Sequence, residues 1–121
     1  MSTAAESLEL PSYRSEAESA IHENGVKALQ VLVPIAENNA IVRHFLLGLY
    51  DGARFPYNLT RLRGLDPVYT IACMRVLQMD AICSWHEVHQ YVDNGCEIFN
   101  RWALEASKIE KPKKPRRGAW G

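Results

Sequence analysis

Asp66-Pro67-Val68-Tyr69-Thr70-Ile71-Ala72-Cys73-Met74-Arg75-Val76-Leu77-Gln78-Met79-Asp80 carries the clearest helix start in the chain. Asp66 suits the N-cap, where its carboxylate can accept from a free backbone donor, and Pro67 suits the first helical position, where its missing donor costs nothing. Val68, Ile71, Ala72, Val76 and Met79 then recur at helical spacing and predict a wide buried face. A helix of this kind must bury its apolar side against other elements, so the neighbouring segments decide the fold.

Upstream, Arg54-Phe55-Pro56-Tyr57-Asn58-Leu59-Thr60 cannot be regular helix throughout, because the residue before a proline is pushed out of the helical region. It predicts a structured loop, with Asn58 capping a single turn that holds Leu59 and Leu62 and ends at Gly64. Five apolar residues between Phe55 and Leu65 are too many for a solvated linker of that length, so the loop is expected to pack across the protein. Before it, Asn38 and Asn39 can cap a helix with Ile41, Val42, Phe45, Leu46 and Leu49 on one stripe and Gly52 placed to end it.

Earlier still, Val26, Leu29, Leu32, Val33 and Ala36 predict a helix from about Ser15 to Asn38. Gly25 and Pro34 oppose it, at about 1 and about 3 kcal/mol inside a helix, so a break near Gly25 and a kink or restart near Pro34 are expected. Residues 1–14 are polar, contain Pro11 and read as a mobile leader.

Downstream, Ser84-Trp85-His86-Glu87 has the capping-box pattern and predicts a short helix to Val92. Asp93-Asn94-Gly95 is a stop. Cys96, Phe99, Trp102, Ala103 and Ala106 predict the apolar face of a last helix ending near Lys108, followed by a disordered basic tail over residues 109–121. No stretch alternates long enough to demand a sheet. The expected fold is therefore all-α: a single domain over residues 15–108, a compact bundle of four to five helices. Its expected core includes Leu29, Leu32, Phe45, Leu49, Ile71, Val76, Val88, Phe99 and Trp102.

The 121 residues are 47% hydrophobic and 23% charged, the composition of a chain that folds rather than one that stays disordered. A formal net charge of zero hides an asymmetry. Residues 1–110 hold nine basic and fourteen acidic side chains, a net of −5, while Lys111, Lys113, Lys114, Arg116 and Arg117 crowd the last eleven positions. An acidic body with a basic tail is not the footprint of a dedicated nucleic-acid-binding domain, although the tail alone could contact phosphate. Three cysteines without framework spacing and a first segment lacking a basic start or apolar core make the cytoplasm the expected compartment. No apolar run approaches the roughly 20 residues of a bilayer-spanning helix, so no membrane partner is expected.

Cys83, His86, His89 and Cys96 form the densest group of zinc-ligand types. Structural zinc usually brings paired cysteines two to four apart, and here they are separated by thirteen positions with a helix stop between them. The expectation is no metal, with both cysteines as small core residues. His86-Glu87-Val88-His89 is one residue short of the His-Glu-x-x-His metalloprotease sequence, whose histidines must share a helical face four apart. Glycine-rich phosphate loops and a Gly-x-Ser-x-Gly elbow are missing, so neither catalysis nor a cofactor is expected. Asn58-Leu59-Thr60 matches the glycosylation pattern, which has no consequence without secretion.

The runs Arg54 to Thr60, Leu62-Arg63-Gly64-Leu65-Asp66, Val76-Leu77-Gln78-Met79-Asp80 and Glu87-Val88-His89-Gln90-Tyr91-Val92-Asp93-Asn94-Gly95 resemble a family of short uncharacterised bacterial helical proteins often carried by plasmids, phages and integrated elements. The resemblance spans approximately residues 25–104. It implies a bacterial cytoplasmic accessory protein connected with mobile elements, and it brings no catalytic or binding residue with it. Two functions of different class are expected from the sequence. One is a non-enzymatic protein-interaction module that binds a host or element-encoded protein to modulate defence, transfer or replication. The alternative is a small regulator that contacts nucleic acid through its basic tail. Self-association is compatible with either.

Overall fold

The computed structural model describes residues 2–110, with side chains over residues 17–108. Its longest element is α1 (Ser2–Ala36), followed by α2 (Ala40–Tyr50), α3 (Pro67–Ile82) and α4 (Gly95–Glu110), with 3-10 turns at Leu59–Gly64 and Val88–Tyr91. No strand occurs among the described residues. The helical backbone thus takes in most of the segment read as a leader, and the basic tail residues Lys111, Lys113, Lys114, Arg116 and Arg117 lie outside the described residues.

Helix α1 packs most extensively on α3. The two run antiparallel: Gly25 lies opposite Met79, and seven residues earlier on α1 the Glu18 carbonyl accepts from the Cys83 thiol at 3.3 Å. The expected break at Gly25 does not occur, for a packing reason. A Cβ at Gly25 would sit 2.4 Å from Met79 Cβ and 2.6 Å from its sulfur, so only glycine lets α3 approach this closely. The helix propensity lost at Gly25 is offset by contact with a helix that the local sequence does not contain. Pro34 produces no restart either, because α1 ends two residues later and Pro34 occupies its last turn. There the Arg43 guanidinium donates to the Ala36 carbonyl at 2.9 Å and satisfies one of the free acceptors of the helix end.

Asn39 caps α2 by accepting from the Ile41 and Val42 amides at 3.0 and 3.2 Å. Gly52 does not end this helix in a left-handed conformation; the cap is Asp51, whose amide donates to the Leu47 carbonyl. The loop from Phe55 to Asp66 is ordered as expected. Asn58 accepts from the Thr60 amide at 3.0 Å and starts the 3-10 turn, Tyr57 Oη donates to the Ile41 carbonyl at 3.1 Å, and Phe55, Leu62 and Leu65 are buried. Leu59 is exposed and contributes nothing to that packing.

Asp66 and Pro67 open α3 as the sequence predicts, with Asp66 Oδ1 accepting from the Val68 amide at 3.0 Å. Val76 and Met79 of the expected face are buried, but the face as a whole is rotated away from Val68 and Ile71. Cys73, Val76, Met79 and Cys83 face the core, whereas Val68 and Ile71 are exposed; Leu49 of α2 is only half-buried. After α3 the expected short helix is replaced by a turn and the 3-10 segment. Its capping contact is Glu87 N–H to Gln90 Oε1 at 2.7 Å, three residues beyond the Ser84 start that the sequence suggested. Among the described residues Asn94 alone takes the left-handed conformation, with φ 58°, while Gly95 is required for closeness: a Cβ there would run into the His89 carbonyl oxygen. Phe99, Trp102 and Ala103 of α4 complete the core, but Cys96 is exposed and not a core residue.

Candidate functional site

Helix α3 is apolar on two sides. The side bearing Cys73, Val76 and Met79 is closed by α1, and the side bearing Val68, Ile71, Met74 and Ile82 remains open, with exposures of 64, 57, 50 and 51%. Burying the first stripe against α1 necessarily turns the second outward, since the two interleave around one helix of sixteen residues. Single exposed aliphatic residues are ordinary, but a stripe along one helix marks an interaction surface.

The open side is shaped as two grooves that meet at Ile71. One, of about 400 Å³, runs along α3 between Met74, Arg75, Gln78 and Ile82. The other, of about 360 Å³, continues between α3 and the preceding loop, bounded by Leu62, Arg63, Leu65 and Pro67. Local chemistry holds that junction in place: Thr70 Oγ1 donates to the Leu62 carbonyl at 3.2 Å, and the Leu65 amide donates to the same carbonyl. Both linings are aliphatic apart from Arg63, Arg75, Gln78 and Thr70, and neither holds a carboxylate.

The zinc-type residues named by the sequence are not gathered. Cys83 is buried and directed at the Glu18 carbonyl, Cys96 is on the surface, His86 packs edge-on to Tyr91 at 5.4 Å, and His89 packs against Tyr50 and Phe99. Among the described residues no three His, Cys, Asp or Glu side chains converge as a metal-binding group. His89 is half-buried, and its Nδ1 is buried without a hydrogen-bond partner among the described residues. Burial pushes the Cys73 thiol up to about 11 and raises Cys83 as well, so neither is poised as a thiolate nucleophile at neutral pH.

A second exposed cluster sits beyond the C-terminal end of α3. Trp85 stacks on His22 of α1 with ring centroids 4.4 Å apart, and His22 also meets Tyr91 at 5.6 Å. Tyr91 Oη accepts from the His86 amide and donates to the Cys83 carbonyl, tying the turn to the helix end. Burial first, then the neighbouring Glu87, raises the Asp80 carboxyl. These contacts fasten the segment after α3 to α1. The sequence reading missed this cluster and the open side of α3; the one available signal for the latter was that α3 carries more apolar positions than a single face can hold.

A model of a family of unknown function, DUF7673, matches residues 26–106, which takes in the last eleven residues of α1, all of α2 and α3, the Phe-Pro loop, both 3-10 turns and most of α4. No curated protein and no solved structure shows a match. The match covers well over half of the chain, and the chain therefore belongs to family DUF7673.

Proposed function

We propose that this protein is a non-enzymatic docking module that presents the outer side of α3 to a protein partner. The observation that carries the reading is the continuous aliphatic stripe Val68, Ile71, Met74 and Ile82 with its two grooves, left open by a fold that closes every other large apolar run of α3. Interfaces of this kind draw their energy from a desolvated apolar centre, and Ile71, shared by both grooves, is that centre. The resemblance of the Phe-Pro loop and the Glu-Val-His segment supports a cytoplasmic accessory role in bacteria carrying mobile elements.

The test is a pull-down from the native host after nuclease treatment, comparing the full chain with its Ile71→Asp variant. A specific partner retained after nuclease and lost from Ile71→Asp supports docking through α3. Retention by Ile71→Asp refutes it, and loss on nuclease treatment, with steep salt dependence, would indicate phosphate contacts through the basic tail instead.

A further inference from the structure

Resting on that docking reading, we propose that the occupant of the α3 surface is an amphipathic helix of a partner protein whose apolar stripe is flanked by carboxylates. The shape sets the element: Val68 to Ile82 covers about 21 Å along α3, the length of about four helical turns, and a row of side chains at three- and four-residue spacing fits two grooves joined end to end.

Charge sets the chemistry. Among the six arginines whose side chains are described, four are engaged. Arg43 binds the Ala36 carbonyl, Arg54 pairs with Asp51 and Ser107, Arg61 contacts His44, and Arg101 holds Glu37. Arg63 and Arg75 have no such partner among the described residues, and they line one groove each. The nearest carboxylates on the helix are committed elsewhere: Asp66 caps α3, and Asp80 is half-buried on the side facing Glu87 and Tyr91. In a body of net charge −5, an aliphatic surface whose charged lining among the described residues is two unpaired guanidinium groups is complementary to an apolar stripe with acidic edges.

The same charges argue against a second copy as occupant: two such surfaces brought together would place four guanidinium groups in one apolar interface, with no carboxylate lining either groove to pair them. The outer sides of α1 and α4 offer single large aliphatic residues, Val31 and Leu104, rather than a stripe, among the described side chains.

A displayed library tests the proposal on the full chain: helical peptides of about 16 residues with apolar positions at helical spacing and randomised flanks. Enriched peptides are expected to carry Asp or Glu at the flanks. They should lose about tenfold or more in affinity on Ile71→Asp, and equally on combined Arg63→Glu and Arg75→Glu, the scale of a lost charge-assisted contact. The double charge-reversed protein should select Lys and Arg flanks instead. All three positions are exposed, and circular dichroism verifies that the variants fold. Failure to enrich any helix, enrichment without acidic flanks, or binding insensitive to these variants overturns the proposal. Concentration-dependent dimerisation abolished by Ile71→Asp also overturns it, in favour of a second copy. A host partner that is lost on Ile71→Asp but unaffected by the charge reversal leaves docking through α3 standing and removes only the acidic helix.

Discussion

Glu37, one residue past the end of α1, is gripped at both oxygens by Arg101 of α4, Nη1 to Oε1 at 3.0 Å and Nη2 to Oε2 at 2.7 Å, while Trp102 Nε1 donates to Oε1 at 3.2 Å. The Arg101 hydrogen bonds lead in holding the Glu37 carboxyl down from 4.5 to about 2, against a smaller opposing effect of burial. A carboxyl depressed by folding stabilises above its unfolded value and loses that contribution as pH falls through the folded one. The contribution of Glu37 is therefore complete above about pH 4.5 and fades between there and about pH 2. Because the pair is half-exposed and screened by solvent, Glu37→Gln should cost about 1 kcal/mol at pH 7, less than the shift alone would suggest. Urea melts of both proteins across this window should show the difference closing at the acid end.

Gly25→Ala should destabilise the protein by about 1–3 kcal/mol, although the same change in an open helix would gain about 1 kcal/mol. The new methyl meets Met79 Cβ, which is fixed to the backbone and cannot swing aside, so α1 and α3 must separate. A raised melting temperature for Gly25→Ala would show that the two helices do not meet there.

The two sides of α3 should respond oppositely to truncation. Met79→Ala, in the seam with α1, is expected to cost about 2–5 kcal/mol, whereas Ile71→Ala should fall within about 0.5 kcal/mol of the parent. Chemical denaturation distinguishes them directly; equal losses would mean that Ile71 is covered in the isolated protein.

Amide hydrogen exchange should be slow from Leu62 to Leu65 in the free chain, because this part of the loop buries Leu62 and Leu65 and is tied to α3 through Thr70. Asn58→Ala should speed it locally and cost about 1 kcal/mol by removing the acceptor for the Thr60 amide. Fast exchange throughout the turn would show that the loop is not packed.

A chelator is expected to leave the circular dichroism unchanged, and protein purified without added metal should contain well under one zinc per chain, since Cys83, His86, His89 and Cys96 point to four different surroundings. Stoichiometric zinc lost together with helicity would contradict this placement.

Much of the fold was legible where a signal is local. Asn39, Asn58 and Asp66 cap the elements that they open because a side-chain oxygen two or three residues from a free amide needs no other part of the protein. The same reasoning misplaced the turn after α3, where Ser84 and Glu87 satisfy the capping pattern but the chain is drawn by Tyr91 and Trp85 toward Cys83 and His22. The candidate docking surface was illegible for a related reason: Val68 and Ile71 are as apolar as Val76 and Met79, and nothing within α3 states which stripe α1 will take.

By itself, then, the sequence determined the helical class, the caps at Asn39, Asn58 and Asp66, the ordered Phe-Pro loop and most of the core, all of which depend on spacing and on contacts a few residues apart. Only the tertiary structure decided which side of α3 is buried, why Gly25 and Gly95 are glycines, and how Glu37 meets Arg101 across 64 positions. These outcomes depend on the close approach of segments far apart in the chain, and close packing makes each one a choice between discrete arrangements that local preference cannot rank.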